Sequence, residues 1–177
     1  MQIFITDLKK IINRRDFVCK QLPKLSDVDL ERFKNIKDEL RALQFLVGRA
    51  LILEHFGSDF ETLKSGKVIS KGGYLSLAHS GNFVVLATDD EPIGVDIEKI
   101  NQKRDFQKIA ARMKLGACKD EKEFCKKWTA YEADFKLGLE HKNPSHQFIE
   151  HDGFMICIAS LHSKPNLTVS SISPLLF

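Results

Sequence analysis

The chain of 177 residues is long enough for one well-filled core, or for two small halves that share a core. Its 43% hydrophobic and 29% charged residues are typical of a globular protein, and a net charge of +3 is too mild to favour nucleic-acid binding. Met1–Asp7 is followed by basic residues and not by a long apolar run, so we expect no signal peptide, no membrane span and a cytoplasmic location.

The first part of the chain mixes strand and helix signals. A strand is predicted over Gln2–Thr6, and Ser26 is a suitable N-cap for a helix over Asp27–Ile36. A longer helix with apolar residues on one face is predicted to end at Gly57. Residues 58–73 contain glycines, serines and lysines, and they are predicted to form a loop.

The second part carries three strand signals, then two helices, then further strands. The turn Ser80-Gly81-Asn82 predicts a hairpin between the first two strands. The predicted strands are Tyr74–His79, Phe83–Thr88, Ile93–Glu98, Phe154–Ala159 and Leu167–Ser171, and the predicted helices are Asp105–Met113 and Asp120–Leu139. This order of elements predicts an α+β fold with two halves, residues 1–92 and 93–177.

The cysteines and the basic residues have no specific pattern. The cysteines lack C-x-x-C spacing, so neither a zinc site nor a disulfide is predicted, and Cys157 is expected to be a core residue. Basic residues near the N-terminus suit an anionic ligand or an acidic partner, and they equally suit a solvated surface. They are Lys9, Lys10, Arg14, Arg15, Lys20 and Lys24.

The segment Gly94–Glu98 places two carboxylates on one side of a predicted strand. Side chains alternate faces along a strand, so Asp96 and Glu98 project together. Close carboxylates repel each other unless a cation or a proton lies between them, and Mg²⁺ prefers such hard oxygen ligands. The pattern fits a metal site, and it also fits the solvent-facing side of an antiparallel strand.

Glu132 and Lys136 lie one turn apart on a predicted helix. Such a pair commonly forms an exposed ion pair that contributes roughly 0.3 kcal/mol. An aromatic stripe on the same helix is predicted to be buried, and Glu132 and Lys136 flank it, at the edge of a packed region where charges interact more strongly. The stripe comprises Phe124, Trp128, Tyr131 and Phe135.

His79 and Ser80 are predicted at the end of a strand, beside a tight turn. A histidine without other motif residues is more commonly structural or solvent-exposed than a ligand-binding residue. Ser80 lacks the surrounding G-x-S-x-G motif, so a serine hydrolase is not supported. Lys67, in the predicted loop, indicates nothing by itself.

Taken in order, these motifs resemble those of the 4′-phosphopantetheinyl transferases, specifically the longer single-chain type that modifies carrier proteins. That family's hallmark is G-(I/V)-D-(I/V)-E, followed by a helix with W-(T/S)-x-K-E-(S/A)-x-x-K; Gly94–Glu98 and Trp128–Lys136 look like these motifs. The family often has a G-K-P loop and an S-H-S turn upstream of these motifs, and Gly66–Val68 and Ala78–Ser80 look like them. The resemblance covers roughly residues 40–140 and implies two similar α+β halves packed as a pseudo-dimer in a monomer.

The resemblance also implies roles for individual residues. Asp96, Glu98 and Glu132 are the implied ligands of Mg²⁺, which holds the pyrophosphate of coenzyme A. Lys136 is implied to contact that pyrophosphate and to stabilise charge as the bond breaks. A serine hydroxyl needs a base to take its proton, and Glu132 is the candidate. Glu132 and Lys136 are therefore the predicted catalytic residues.

The coenzyme A site implied by the resemblance includes residues upstream of the acidic motif. His79 is implied to hold the 3′-phosphate with Ser80 beside it, and Lys67 is implied to lie near the nucleotide. Arg41 and Arg49 are two alternatives for a further phosphate contact.

The implied reaction transfers 4′-phosphopantetheine to a serine of an apo acyl or peptidyl carrier protein and releases adenosine 3′,5′-bisphosphate. Val68, Ala78 and Tyr131 replace the family's proline, serine and lysine, and weaker coenzyme A binding is the expected consequence. Two other readings stay open: a non-catalytic protein that binds coenzyme A or a carrier, and a Mg²⁺-dependent phosphohydrolase. The sequence does not identify the carrier or its pathway, whether fatty-acid, polyketide or peptide synthesis.

Overall fold

Runs of helices and runs of strands follow each other along the chain, which confirms the predicted α+β class. The computed structural model describes residues 1–100, 103–138, 143–162 and 166–172. The strands are β1 (Gln2–Asp7), β2 (Phe60–Thr62), β3 (Val68–Ser70), β4 (Tyr74–Ser80), β5 (Phe83–Asp89), β6 (Ile93–Lys99), β7 (Ser145–His151), β8 (Phe154–Ser160) and β9 (Thr168–Ile172). The α-helices are α1 (Arg14–Gln21), α2 (Asp27–Lys34), α3 (Glu39–Phe56), α4 (Phe106–Arg112) and α5 (Glu121–Leu137).

Most of the strands belong to two sheets. The larger sheet has the order β4-β5-β1-β9, and the smaller sheet has the order β6-β8-β7, while β2 and β3 form a separate two-stranded sheet. The smaller sheet is antiparallel throughout, whereas β9 runs parallel to β1 in the larger sheet. Because β9 pairs with β1, one strand of the predicted second half joins the sheet of the first. The division at residue 92 stays a prediction.

The two sheets face each other through their apolar sides. Val85 of the larger sheet packs in one core with Val95 and Ile156 of the smaller sheet. The residues that alternate with them, such as Val84 and Cys157, point toward helices on the outer faces. α3 covers the larger sheet and α5 covers the smaller one, so the layers run helix, sheet, sheet, helix. The burial of Cys157 confirms its prediction as a core residue.

Several local signals in the sequence predicted the ends of elements. The Ser26 side chain accepts a hydrogen bond from the Asp29 amide and caps α2. Gly57 ends α3 with a φ of 56°, a left-handed conformation that glycine adopts readily. β4 and β5 pair in register across the predicted turn, with Ser80 opposite Phe83. These predictions are confirmed.

Other predictions were wrong or incomplete. Residues 58–73 form the short hairpin of β2 and β3 and not only a loop, and α1 and β7 were not predicted. Their segments are short and rich in polar residues, so they lack a clear apolar period. Leu139, the predicted end of α5, lies outside the described residues.

The aromatic stripe of α5 is only partly buried, contrary to prediction. Phe124 is buried, but Tyr131 is 43% exposed and Phe135 is 61% exposed. The buried face of α5 consists mostly of smaller side chains: Phe124, Cys125, Thr129, Ala133 and Leu137. Small residues are needed there because α5 lies very close to β6.

This close approach occurs at Gly94 of β6. A methyl group added to Gly94 would overlap the Ala133 carbonyl group and would lie 2.8 Å from the Leu137 amide nitrogen. The two backbones are therefore in direct contact, and residues near Gly94 on the strand lie against residues near Ala133 on the helix. Among the helices of the described residues, none is long and apolar enough to cross a membrane.

We predict that Gly94→Ala destabilises the protein by about 3 kcal/mol, because the new methyl group forces β6 and α5 apart. Gly72→Ala is the matched control, since the nearest side-chain atoms would lie 3.9 Å away; its expected change is within about 0.5 kcal/mol. Urea denaturation followed by circular dichroism measures both. Equal midpoints for the two variants would contradict the close approach.

Candidate active site

The residues singled out in the sequence gather where two sheet edges meet. β4 is an edge strand of the larger sheet and β6 is an edge strand of the smaller sheet. Two side chains of β4 link them: the Val95 amide donates to Ser76 Oγ at 2.9 Å, and Ser80 Oγ donates to Glu98 Oε2 at 3.0 Å. α5 lies over β6 beside this seam. Residues from three elements therefore share one region.

Asp96 and Lys136 form an ion pair at the seam. Lys136 Nζ lies 2.8 Å from Asp96 Oδ1 and donates to the Val95 carbonyl at 3.0 Å. Burial raises the pKa of Asp96 to about 6; Lys136 opposes the shift, while Glu132 and Glu98 add to it. Glu132 is half-buried, and because its charge helps to raise the pKa of Asp96, it lies near that carboxylate.

Glu98 has a second partner that the sequence did not predict. Arg104 Nη1 lies 2.7 Å from Glu98 Oε1, while the guanidinium stacks on the Phe124 ring with a centroid distance of 4.9 Å. The same guanidinium also donates to Cys125 Sγ at 3.1 Å. Arg104 lies in an irregular segment between β6 and α4, so neither strand alternation nor helix periodicity could identify it.

A cleft opens beside Lys136 and is lined by both basic and apolar side chains. Its volume is about 490 Å³, and Lys67 and Arg49 line it together with Lys136. The apolar part of the lining includes Leu75, Leu77 and Phe135. A neighbouring space of about 570 Å³ shares Lys67 and Lys136 and adds Lys71 and Tyr74. This lining suits a long ligand that has both anionic and apolar parts.

His79 of β4 lies within the same positive region. Partial burial lowers the pKa of His79, and the nearby positive charges of Arg41 and Lys136 lower it further. Arg41 therefore lies near His79, the residue that is predicted to hold a phosphate group. Arg49, by contrast, is buried in an ion pair with Asp29 at 2.8 Å. Of the two arginines considered from the sequence, Arg41 is the better placed to act with His79.

The predicted metal ligands have the right chemistry for Mg²⁺. Asp96, Glu98 and Glu132 offer carboxylate oxygens, and their mutual repulsion contributes to the raised pKa of Asp96. Within the described ranges, no group of three or more His, Cys, Asp or Glu side chains could hold a metal ion as arranged. Asp96 instead contacts Lys136, and Glu98 contacts Arg104. The donor types fit, and a divalent ion would compete with these two cations.

The structure thus brings most of the predicted site residues together. Asp96, Glu98, Glu132 and Lys136 lie where β6 meets α5, and Ser80 contacts Glu98. Lys67 lines the cleft with Lys136. Their roles stay predictions. No protein-family model matches the chain, and no curated protein matches it significantly.

The raised pKa of Asp96 predicts how stability depends on pH in a buffer that contains a chelator. Between the ordinary value of 3.8 and about 6, the folded protein keeps a proton that the unfolded chain loses. Asp96 therefore makes the free energy of unfolding fall as pH rises through this window, and its effect is constant above it.

Asp96→Asn cannot ionise, so we expect it to be about 2 kcal/mol more stable than the wild type at pH 7 and about equally stable at pH 4. Urea denaturation of both proteins between pH 4 and pH 8 gives this difference. If the free energies of unfolding of the two proteins changed in parallel with pH, or if the variant were less stable at pH 7, the raised pKa of Asp96 would be refuted.

Proposed function

We propose that this protein transfers 4′-phosphopantetheine from coenzyme A to a serine of an apo acyl or peptidyl carrier protein. The observation that carries the proposal is the ion pair between Asp96 of the first motif and Lys136 of the second, 2.8 Å apart in space and 40 positions apart in sequence. The pair borders a cleft that also contains Lys67. A meeting of both motifs at a basic cleft supports one shared site.

We also propose the fold of that family, with two similar α+β halves packed as a pseudo-dimer within one chain. In support, α3 and α5 are the longest helices of the described residues, and each covers the outer face of one sheet. The inner faces of both sheets share one core. In this proposal the halves meet near residue 92, between β5 and β6, and β9 returns to the first half.

Coenzyme A suits the cleft because the ligand combines a pyrophosphate with a long, less polar arm. Lys67 and Lys136 present ammonium groups from two walls of the cleft, where they attract phosphate oxygens. Arg41 and His79 would hold the 3′-phosphate, since a positive field already surrounds His79. Leu75 and Leu77 provide apolar lining between these polar groups.

Phosphoryl transfer here requires one new bond and one broken bond. The carrier serine oxygen bonds to the phosphorus that bears pantetheine, and the bond from that phosphorus to the bridging oxygen of the nucleotide breaks. Glu132 would accept the serine proton, and Lys136 would stabilise the negative charge that develops on the departing phosphate. The lysine is held for this role by Asp96 and by the Val95 carbonyl.

Asp96, Glu98 and Glu132 are the residues that would hold Mg²⁺. When bound, the ion supplies positive charge that neutralises the pyrophosphate and orients it. In the structure Lys136 and Arg104 neutralise two of these carboxylates, which keeps the site close to electrical balance before any ligand binds.

A second candidate function is a non-catalytic protein that binds coenzyme A or a carrier protein. The observation that favours it is the pairing of both strand carboxylates with internal cations, Asp96 with Lys136 and Glu98 with Arg104. Such pairs neutralise the carboxylates without a metal ion. Binding of coenzyme A without transfer distinguishes this function from the first.

Intact-mass analysis of an apo acyl carrier protein tests the transfer directly. After incubation with this protein, coenzyme A and Mg²⁺, we expect one added phosphopantetheine on the carrier serine. Chelation of the metal and the substitution Asp96→Ala should each abolish the addition, because both remove the predicted metal site.

A parallel reaction with an apo peptidyl carrier domain covers the other carrier class. No mass gain on either carrier, together with measurable coenzyme A binding, would favour the binding protein. Release of phosphopantetheine into water without any carrier would instead indicate a phosphohydrolase.

Lys136→Ala separates catalysis from stability. We expect kcat to fall by roughly 10²-fold to 10³-fold, because charge on the leaving phosphate loses its partner. The free energy of unfolding should change by about 1 kcal/mol or less, since the ion pair is partly open to solvent. Lys122 lies on the same helix as Lys136 and forms an exposed pair with Glu150 of β7; Lys122→Ala is the control and should leave kcat unchanged. A lower melting temperature without a kinetic defect would assign Lys136 a structural role only.

A further inference from the structure

A buried network of polar side chains lies away from the carboxylates of the site. The carboxylate of Asp29, on α2, accepts hydrogen bonds on both oxygens. Arg49 of α3 donates to Oδ1 at 2.8 Å, and Thr62 of β2 donates to Oδ2 at 2.8 Å. Asp29 is 1% exposed and Arg49 is 7% exposed, so these bonds are largely shielded from water. We call Asp29, Arg49 and Thr62 the Asp29 network.

The network joins three elements: α2, α3, whose Arg49 also lines the cleft, and β2, which leads to Lys67. Thr62 is the last residue of β2, and the turn after it leads to Lys67 and β3. The sheet of β2 and β3 has only two strands of three residues each. Isolated hairpins of this kind are at best marginally stable, so the position of Lys67 depends on what holds the hairpin.

A second contact from α2 holds the turn itself. The Arg32 guanidinium donates to the Lys64 carbonyl at 3.4 Å. The same group lies directly against Gly66, whose φ of 91° suits glycine, and it occupies the space of any larger side chain. Arg32 lies three positions after Asp29, so one helix supports the hairpin at the end of β2 and at the turn that follows.

We propose that Asp29 is a positioning residue, whose network holds the hairpin of β2 and β3 so that Lys67 stays over the cleft. Arg49 fixes Asp29 to α3, and α3 in turn packs against β4 through Gly48 and Leu77. The cleft wall that carries Lys67 is thereby tied to the wall that carries Leu77. The link to coenzyme A in this inference depends on the proposed function; the support of the hairpin does not.

The decisive variant is Thr62→Val, which keeps the shape of the side chain and removes the hydroxyl. Asp29 Oδ2 keeps a contact to Ser26 Oγ at 3.3 Å, and the ion pair with Arg49 remains, so the protein is expected to fold. Thr62→Ser keeps the hydroxyl and is the matched control. Hydrogen exchange in the absence of ligand should be faster for the amides of residues 62–70 in Thr62→Val and unchanged in Thr62→Ser, with no difference in α3.

Binding of coenzyme A, measured by calorimetry with Mg²⁺, tests the effect on Lys67. Thr62→Val is expected to raise Kd about fivefold, and the same change in a Lys67→Ala background is expected to have no further effect. Equal exchange of the hairpin amides in Thr62→Val and the wild type would overturn the proposal. It would also be overturned if Thr62→Val weakened coenzyme A binding equally in the wild-type and Lys67→Ala backgrounds. If the wild type does not bind coenzyme A, the proposed function fails, and the exchange comparison alone decides whether the network holds the hairpin.

Discussion

The candidate site depends on how closely α5 lies against β6. The backbone of α5 at Ala133 and Leu137 fills the space next to Gly94, so a side chain at position 94 would separate the helix from the strand. Side chains alternate along a strand, and therefore the side of β6 that meets α5 at Gly94 is also the side that carries Asp96 and Glu98. The glycine of the motif brings the carboxylates of the strand to the charged edge of the helix.

The close approach also explains the electrostatics of the site. Asp96 is directly paired with Lys136, yet its pKa is raised to about 6, so burial and the neighbouring Glu132 and Glu98 outweigh the ion pair. A carboxylate optimised for stability would have a lowered pKa beside a lysine at 2.8 Å. Unfavourable burial of charge is typical of sites that bind or transform a ligand.

Strand alternation and capping preferences were sufficient to predict the strand of the acidic motif and the helix caps from the sequence. They could not predict contacts between elements that are distant in sequence. Alternation predicted that Asp96 and Glu98 project together, and they do face α5. The helix period placed Phe135 in the core, but Phe135 is exposed because the packing against β6 selected a face with Ala133. Arg104 was missed since no periodic element contains it. The hairpin that carries Lys67 was missed because its strands are too short to show alternation.

The two walls of the cleft are supported by different parts of the structure. Lys136 and the carboxylates lie on elements that share the main core, so their geometry is fixed by backbone contact at Gly94. Lys67 lies on a hairpin that the Asp29 network holds from outside that core. In the proposed transferase, a change in the network would alter the affinity for coenzyme A and leave the geometry of Asp96, Glu132 and Lys136 intact. Affinity would then vary through α2 and the hairpin, and the transfer step through β6 and α5.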